Sequence, residues 1–495
     1  MMDIKPEIFR EYDIRGIFNV GLNDRAILEY EKWYGKFPGV TLTTDTARAV
    51  GRAFGTIIRR DGGKKVAIGY ELRPGGEELS RAFIQGVLET GCLVINLGIA
   101  LTPLVYFTIA YRQLDGGVNI TGSHNVYFYN GFKLMRRDVR PIFGQELQDM
   151  RKMIESENYW PKENGELTNS EAFGDYKEYF LKNIKIDRPL TIVIDAGNGS
   201  AGMFAPDLFR ALGCTVHELY TEPDASFPNH TPDPEQSQFL AELQKQVLLH
   251  KADLGVAFDA DGDRVGFIDE KGSFVEADKA LLVFARDILI RNPNKKILFD
   301  VKCSQLLEEL IPGFGGIPFM HKTGHAPIKE TMRRDAEVIF AGEKSGHFYF
   351  VENYFKIDDG LWAAARMLEL MSKTDAPFSL LFSGFPRRVI TPEFKLPCPD
   401  DVKFGIMAGI VKNLGSLFSA INIDGIRFKI SETGWGLIRA SNTSPYLTVR
   451  AEGISDEEVI QIKNIIADEL EKYPEISERL NRQEVATLGG KLGWI

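Results

Sequence analysis

The sequence predicts an α/β protein: three related α/β domains with mixed sheets and flanking helices, then a C-terminal α+β domain, with the active site in a central cleft. Three observations predict it. A helix–glycine–strand text recurs along the first three-quarters of the chain. Short apolar runs around each copy end in unusual polar loops. Near Phe385 the texture changes to alternating strands.

The first copy is VLETGCLVINLG (87–98) and the second LFRALGCTVHELY (208–220); a looser third is LLEELIPGFGGIPFMHK (306–322). In the first two, a glycine follows the periodic segment, where helices stop, and a valine-containing strand comes next. Each copy has a leading strand, in KKVAIGYELRP (64–74), LTIVIDAGNGS (190–200) and KKILFDVKCS (295–304). Each also has a later one, in GGVNITGSHN (116–125), DLGVAFDADGDR (253–264) and AEVIFAGEKSGH (336–347). Apolar, β-branched runs closed by turn residues read as buried strands of an α/β sheet, whose ligands sit outside the strands' carboxyl ends. Beyond Phe385, INIDGIRFKI, SETGWGLIRAS and YLTVRAE alternate as antiparallel strands do, and 455–473 carries apolar residues at helical spacing. The expected domains are 1–168, 169–272, 273–384 and 385–495. Residues 19–40, rich in Tyr, Trp and charge, interrupt the first domain and read as a surface excursion or insertion.

A chain of 495 residues needs more than one core. Its net charge of -10 argues against a general nucleic-acid binder and still allows a local basic pocket. Cys92, Cys214, Cys303 and Cys398 show no zinc-like spacing and suit a reducing compartment. The N-terminal text lacks the apolar centre of a signal peptide, and no apolar run is long enough to span a bilayer. The expectation is a cytoplasmic protein without a membrane or nucleic-acid partner, either monomer or dimer.

Four loops carry chemistry. Thr121-Gly122-Ser123-His124-Asn125, with Lys133 downstream, offers a serine nucleophile beside a base and a cation; a polar turn is the plain alternative. Asp259, Asp261 and Asp263 can converge on one hard cation if the chain curls around it, and an all-oxygen set favours Mg²⁺, Mn²⁺ or Ca²⁺ over zinc. Glu270 stands at the twelfth position of an EF-hand count, but Arg264 occupies the sixth, where the sharp turn needs glycine. A phosphatase with an aspartyl nucleophile is a further rival for this loop. Gly342-Glu343-Lys344-Ser345-Gly346-His347 can receive sugar hydroxyls, or can be a structural turn. Arg439-Ala440-Ser441-Asn442-Thr443-Ser444 supplies a guanidinium fork, hydroxyls and an amide for an oxyanion, or is a hairpin turn.

Together and in order, these loops resemble the α-D-phosphohexomutase family. The likeness runs through FREYDIRG (9–16), TGSHN (121–125), YNGFKL (129–134), DGDRVGFID (261–269), DVKC (300–303), KTGH (322–325), GEKSGH (342–347), TPE (391–393) and GWGLIRASNTSPYLTVRAE (434–452). It spans nearly the whole chain. The resemblance implies a mutase moving phosphate between the 1- and 6-positions of a hexose, through a phosphoserine at Ser123 and a hexose 1,6-bisphosphate. It implies Mg²⁺ held by Asp259, Asp261, Asp263 and the phosphorylated Ser123. Arg15, Arg264 and Lys133 would offset the local negative charge. His124 and His325 are the implied proton carriers, with Arg15 or Lys133 as alternatives. Substrate contacts are implied for Tyr12, Arg264, Lys302, Glu343, Ser345, His347, Arg439, Ser441, Asn442 and Thr443. Phosphoglucosamine mutase, a silent phosphosugar-binding paralogue and a Mg²⁺ phosphatase remain as rivals. Two features depart from the family pattern: the 19–40 excursion, and Val126 where a proline usually follows SHN.

Overall fold

Each of the first three sheets grows from a central strand that the repeat places first in its copy: Lys65–Tyr70, Thr191–Asp195 and Lys296–Asp300. On one side lies a parallel strand reached through a helix: Leu93–Ile99, Thr215–Leu219 and Ile317–His321. On the other lies the third strand of the copy, also parallel: Gly116–Ile120, Leu254–Phe258 and Val338–Gly342. That strand then turns back into an antiparallel fourth: Tyr129–Arg136, Val265–Ile268 and Phe348–Phe350. Loops 121–128, 259–264 and 343–347 are therefore equivalent connections in the three copies, at the carboxyl ends of buried parallel strands. The computed structural model describes residues 4–476 apart from 21, 23, 25, 26, 29, 32–36, 443 and 444.

Local chemistry explains the repeated text. Gly91 and Gly213, at φ 74° and 94°, hold left-handed positions after the helices Gly76–Leu88 and Ala205–Ala211, so each chain can turn straight into its strand. In the first copy, Ile14–Ile17 extends the sheet at its edge by pairing with Tyr129–Arg136. The fourth sheet is wholly antiparallel, from Val389–Ile390 through Tyr446–Gly453, Trp435–Ala440 and Ile426–Lys429 to Ser419–Ile421, with Phe394–Pro397 also on Tyr446–Gly453. The helix Asp456–Leu470 packs on it, its first turn capped by the Ser455 side chain.

One apolar core joins the first three units. The helix Thr102–Tyr111 is apolar on every face because it is covered by its own sheet on one side and by Tyr176, Phe180 and Trp362 of that core on the other. The fourth sheet has a separate core around Phe428, Ile438 and Ile462. All four cysteines are buried, and none is in a disulfide. Among the described residues no helix is long and apolar enough to cross a membrane.

Candidate active site

The three equivalent loops and the loop after Trp435–Ala440 converge on one cleft. Its walls include Tyr12, Arg15, Ser123, His124, Lys133, Arg264, Lys302, His325, Glu343, Ser345, His347, Arg439, Ser441 and Asn442, all expected from the sequence. Asp259, Asp261 and Asp263 lie directly behind Lys133 and Arg264. Thr443 lies outside the described residues.

Ser123 sits at φ 52°, a left-handed conformation that non-glycine residues seldom keep without support. Its Oγ is 3.2 Å from His124 Nδ1. Burial, then the Arg264 cation, push the His124 pKa well below the usual imidazole value, so this ring is neutral. The loop is held from inside by two residues the sequence reading passed over, Glu71 and Arg73. Arg73 donates to the carbonyls of Ser123, Asn125, Val126 and Tyr129. Glu71 accepts from Arg73 Nε, Gly122 N and Thr121 Oγ1. Both side chains are fully buried. Arg15 donates to the Thr121 carbonyl and to Asp13 Oδ2 at 3.1 Å.

The acid loop is buried, with no exposure at Asp259, Asp261 or Asp263. Thr102 fixes Asp261 through its hydroxyl at 2.6 Å and its amide at 2.9 Å. Lys133 Nζ stands 2.8 Å from Asp261 and also bonds Asp263. Asp259 Oδ2, Asp261 Oδ1 and Asp263 Oδ1 accept no hydrogen bond, and the triad's ligand oxygens lie within 4.8 Å of one another. Burial, then repulsion from Asp263 and Asp261, raise the Asp259 pKa well above the carboxylate range. Three orphaned, mutually repelling hard oxygens fit a divalent cation, and a strand rather than an EF-hand helix leads into them. A second trio, Asp263, His347 and Asp358, is also close enough to share an ion. There, however, His347 Nε2 accepts from Arg264 at 3.0 Å and Nδ1 faces the Asp263 carbonyl at 3.1 Å, so both ring nitrogens are engaged.

In the third loop, Glu343 Oε1 accepts from Gly324 N at 2.8 Å and Oε2 from the Tyr349 hydroxyl at 2.8 Å. Burial, then Asp300, raise its pKa. Gly324, at φ 123°, is required here because a Cβ would meet the Tyr12 ring at 2.6 Å. The Tyr12 hydroxyl in turn donates to the Thr323 carbonyl and accepts from Asn442 Nδ2, both at 2.7 Å, so it ties the first, third and fourth sheets together. His325 Nε2 lies 3.3 Å from Asp13 Oδ2. Against the cost of burial, His325 and Arg15 hold the Asp13 carboxyl well below the usual range.

At the far end of the cleft, Arg439 pairs with Asp424 at 3.0 Å and Lys302 with Glu393 at 2.9 Å. Glu235 and Lys395 also line this end. Neither was expected, since neither belongs to a loop with a recognisable text. Asp13, Thr323 and Glu393 fall within quoted motifs but had no assigned role. The site thus presents a serine beside a neutral imidazole, an acid cage, a glutamate–serine pair able to take hydroxyls and a cationic end, an arrangement suited to moving an anionic group on a polyol.

Comparisons with known proteins agree. Family models for phosphoglucomutase/phosphomannomutase match in order: α/β/α domain I at 30–159, domain II at 174–272, domain III at 276–389 and the C-terminal domain at 393–469. A phosphomannomutase/phosphoglucomutase of Pseudomonas aeruginosa is 38% identical over 94% of this chain and 96% of its own. A phosphoglucomutase of Neisseria gonorrhoeae is 36% identical over 96% and 99%. The crystal structure of a phosphoglucomutase/phosphomannomutase family protein from Burkholderia thailandensis superposes with a TM-score of 0.84 at 35% identity, covering 95% of this chain and 98% of that one. Fold and site define an enzyme of the hexose-phosphate mutase class. The chain belongs to the phosphoglucomutase/phosphomannomutase family.

Proposed function

We propose that the protein interconverts the 1- and 6-phosphates of glucose and of mannose in two half-reactions through a phosphoserine at Ser123. The observation that carries this reading is the meeting of Ser123 with Glu343, Ser345 and Arg439 in one cleft, against the acid cage. In the first half, a hydroxyl oxygen of the bound monophosphate bonds to phosphorus as the P–Oγ bond of phosphorylated Ser123 breaks. The bond's electron pair stays on Oγ, and the hydroxyl proton passes to an imidazole of the site, His325 or His124. The resulting hexose 1,6-bisphosphate turns end for end, and the second half returns its other phosphate to Ser123.

Arg15, Arg264 and Lys133 face the charge that develops in flight. Asp259, Asp261, Asp263 and phosphorylated Ser123 would hold Mg²⁺, which when bound neutralises charge on the phosphoryl oxygens. Arg439, Ser441, Asn442 and Thr443 would grip the phosphate that is not reacting, with Lys302 and Tyr12 nearby. Glu343 and Ser345 would take sugar hydroxyls in both orientations, and His347 holds Arg264 in place. The four buried thiols suit the reducing cytoplasm.

The test combines intact-mass analysis with a phosphopeptide map and a coupled assay primed with the bisphosphate. Phosphate at Ser123 and isomerised product are expected. Full mutase activity in Ser123→Ala would sink the phosphoserine reading. Faster turnover of glucosamine 6-phosphate than of the hexose phosphates would move the substrate to the hexosamines.

A further inference from the structure

We propose that Leu22, Tyr30 and Phe37 of the 19–40 excursion brace the Ser123 loop from outside, with Tyr30 as a positioning residue. The proposal rests on the reading of Ser123 as the phosphate carrier.

The loop has two sides. Arg73 and Glu71 hold its inner side by hydrogen bonds. Its outer side presents Val126, Tyr127 and Phe128, apolar residues that would stand in water without a cover. The described residues of the excursion supply one. Tyr30 packs in a small apolar cluster with Ile17 and Phe128, flanked by Leu22, Phe37, Val126, Tyr127 and Tyr129. The Tyr30 and Phe37 rings meet edge to face at 5.5 Å, and Tyr30 makes a side-chain hydrogen bond to Tyr129. The cluster is buried at its centre, with Tyr30 8% and Phe128 3% exposed.

The excursion also starts and ends at the loop. Phe18 N donates to the Phe128 carbonyl at 3.1 Å as the chain leaves. On its return, Thr41 and Leu42 both donate to the Ile17 carbonyl, and Thr41 Oγ1 accepts from Ile17 N at 2.8 Å. Ile17 is the register partner of Tyr129. Segment and loop thus share one anchor.

A proline at 126 would limit that residue covalently by fixing φ. Valine leaves φ free, and here the restraint comes from packing of its side chain and from the Arg73 bond to its carbonyl. Ser123, three residues upstream at a positive φ, depends on that restraint.

The test uses the full chain with Tyr30→Ala, Phe37→Ala, Val126→Pro and Tyr30→Ala/Val126→Pro. Tyr30→Ala is expected to lower kcat roughly tenfold or more, as displaced reacting groups do, with KM for glucose 1-phosphate nearly unchanged. Amide exchange at 122–129 should quicken while exchange in the second and third sheets stays as it was. Adding Val126→Pro should restore both kcat and protection, a rescue that general destabilisation would not give. The Val126 amide has no acceptor among the described residues, so proline there removes no hydrogen bond. Should Tyr30→Ala fail to fold, Phe37→Ala, at the half-buried rim, reports the same exchange. Unchanged protection at 122–129 in a folded variant, or a loss that Val126→Pro leaves in place while Val126→Pro alone is active, would overturn the brace. Exchange reads the loop whether or not Ser123 carries phosphate, so failure of the phosphoserine reading shows separately, as retained activity in Ser123→Ala.

Discussion

The two ends of the cleft store opposite things. At the acid end, Asp259, Asp261 and Asp263 keep three buried carboxylate oxygens that accept no hydrogen bond, even with Lys133 and Arg264 beside the triad. At the cationic end, Arg439 and Lys302 are already matched by Asp424 and Glu393. An ion arriving at the first end relieves an existing penalty. A phosphate arriving at the second must share cations that already have carboxylates. The lesson is that electrostatics should commit the acid end to its ligand and leave the cationic end free to accept, release and accept again, as the proposed turning of a bisphosphate would require.

The largest test of this contrast removes the proposed reacting group. Ser123→Ala should cost at least about a thousandfold in kcat, or roughly 4 kcal/mol, while leaving the thermal transition in place; steady-state kinetics beside a melting curve would show it. Next comes the acid end. Chelator should abolish turnover and Mg²⁺ restore it, and Mg²⁺ at about a hundred times its Kd should stabilise the fold by about 2.7 kcal/mol, read as a rise in Tm.

The sign of its pH dependence follows from Asp259. Its folded pKa is raised, so the metal-free native state binds more protons than the unfolded chain above the ordinary carboxylate pKa. Metal-free stability should therefore be fullest below about pH 4 for this group and fall as pH rises through the folded pKa. Divalent binding should release a proton in that window. Titration calorimetry in two buffers of different ionisation enthalpy measures this release, and none detected would break the picture of a strained cage.

A smaller effect belongs to the cationic end. Arg439→Ala should lower kcat/KM by about 2–3 kcal/mol, as for a charged hydrogen-bond donor, mostly through KM. A loss confined to kcat would erase the distinction between the ends. Smallest is the difference between epimers. In the two proposed orientations the 2-hydroxyl would meet different walls, so glucose 1-phosphate and mannose 1-phosphate should agree in kcat/KM within about tenfold, roughly 1.4 kcal/mol.

Much of this was readable in the chain. The three sheets were visible because apolar strands and glycine stops are local signals, and the acid loop because its three carboxylates are close in sequence. Glu71 and Arg73 were not, although they stand in the quoted text KKVAIGYELRP: nothing local marks two charged residues after a strand as a buried pair until the 121–129 segment is folded over them. Lys302 and Glu393 meet across 91 positions, and Glu235 joins them from a third domain. Such pairings are products of domain packing and leave no local pattern. The excursion at 19–40 was recognisable as an interruption, but its apolar partner lies at 126–129, and only the fold brings them together.

The equivalence of loops 121–128, 259–264 and 343–347 has a consequence for how this protein can change. Each loop occupies the same address in its copy of the sheet, between a parallel strand and its antiparallel return. Where a group stands is thus set by strands, and what it is by a few replaceable letters. A serine, a cluster of carboxylates and a glutamate–serine pair thus stand at matching positions, and contacts such as Thr121 to Asp261 and Arg264 to His347 join them. Loops 259–264 and 343–347 are the shorter connections; 121–128 is the longest, and its serine is the group with the most ways to miss its target.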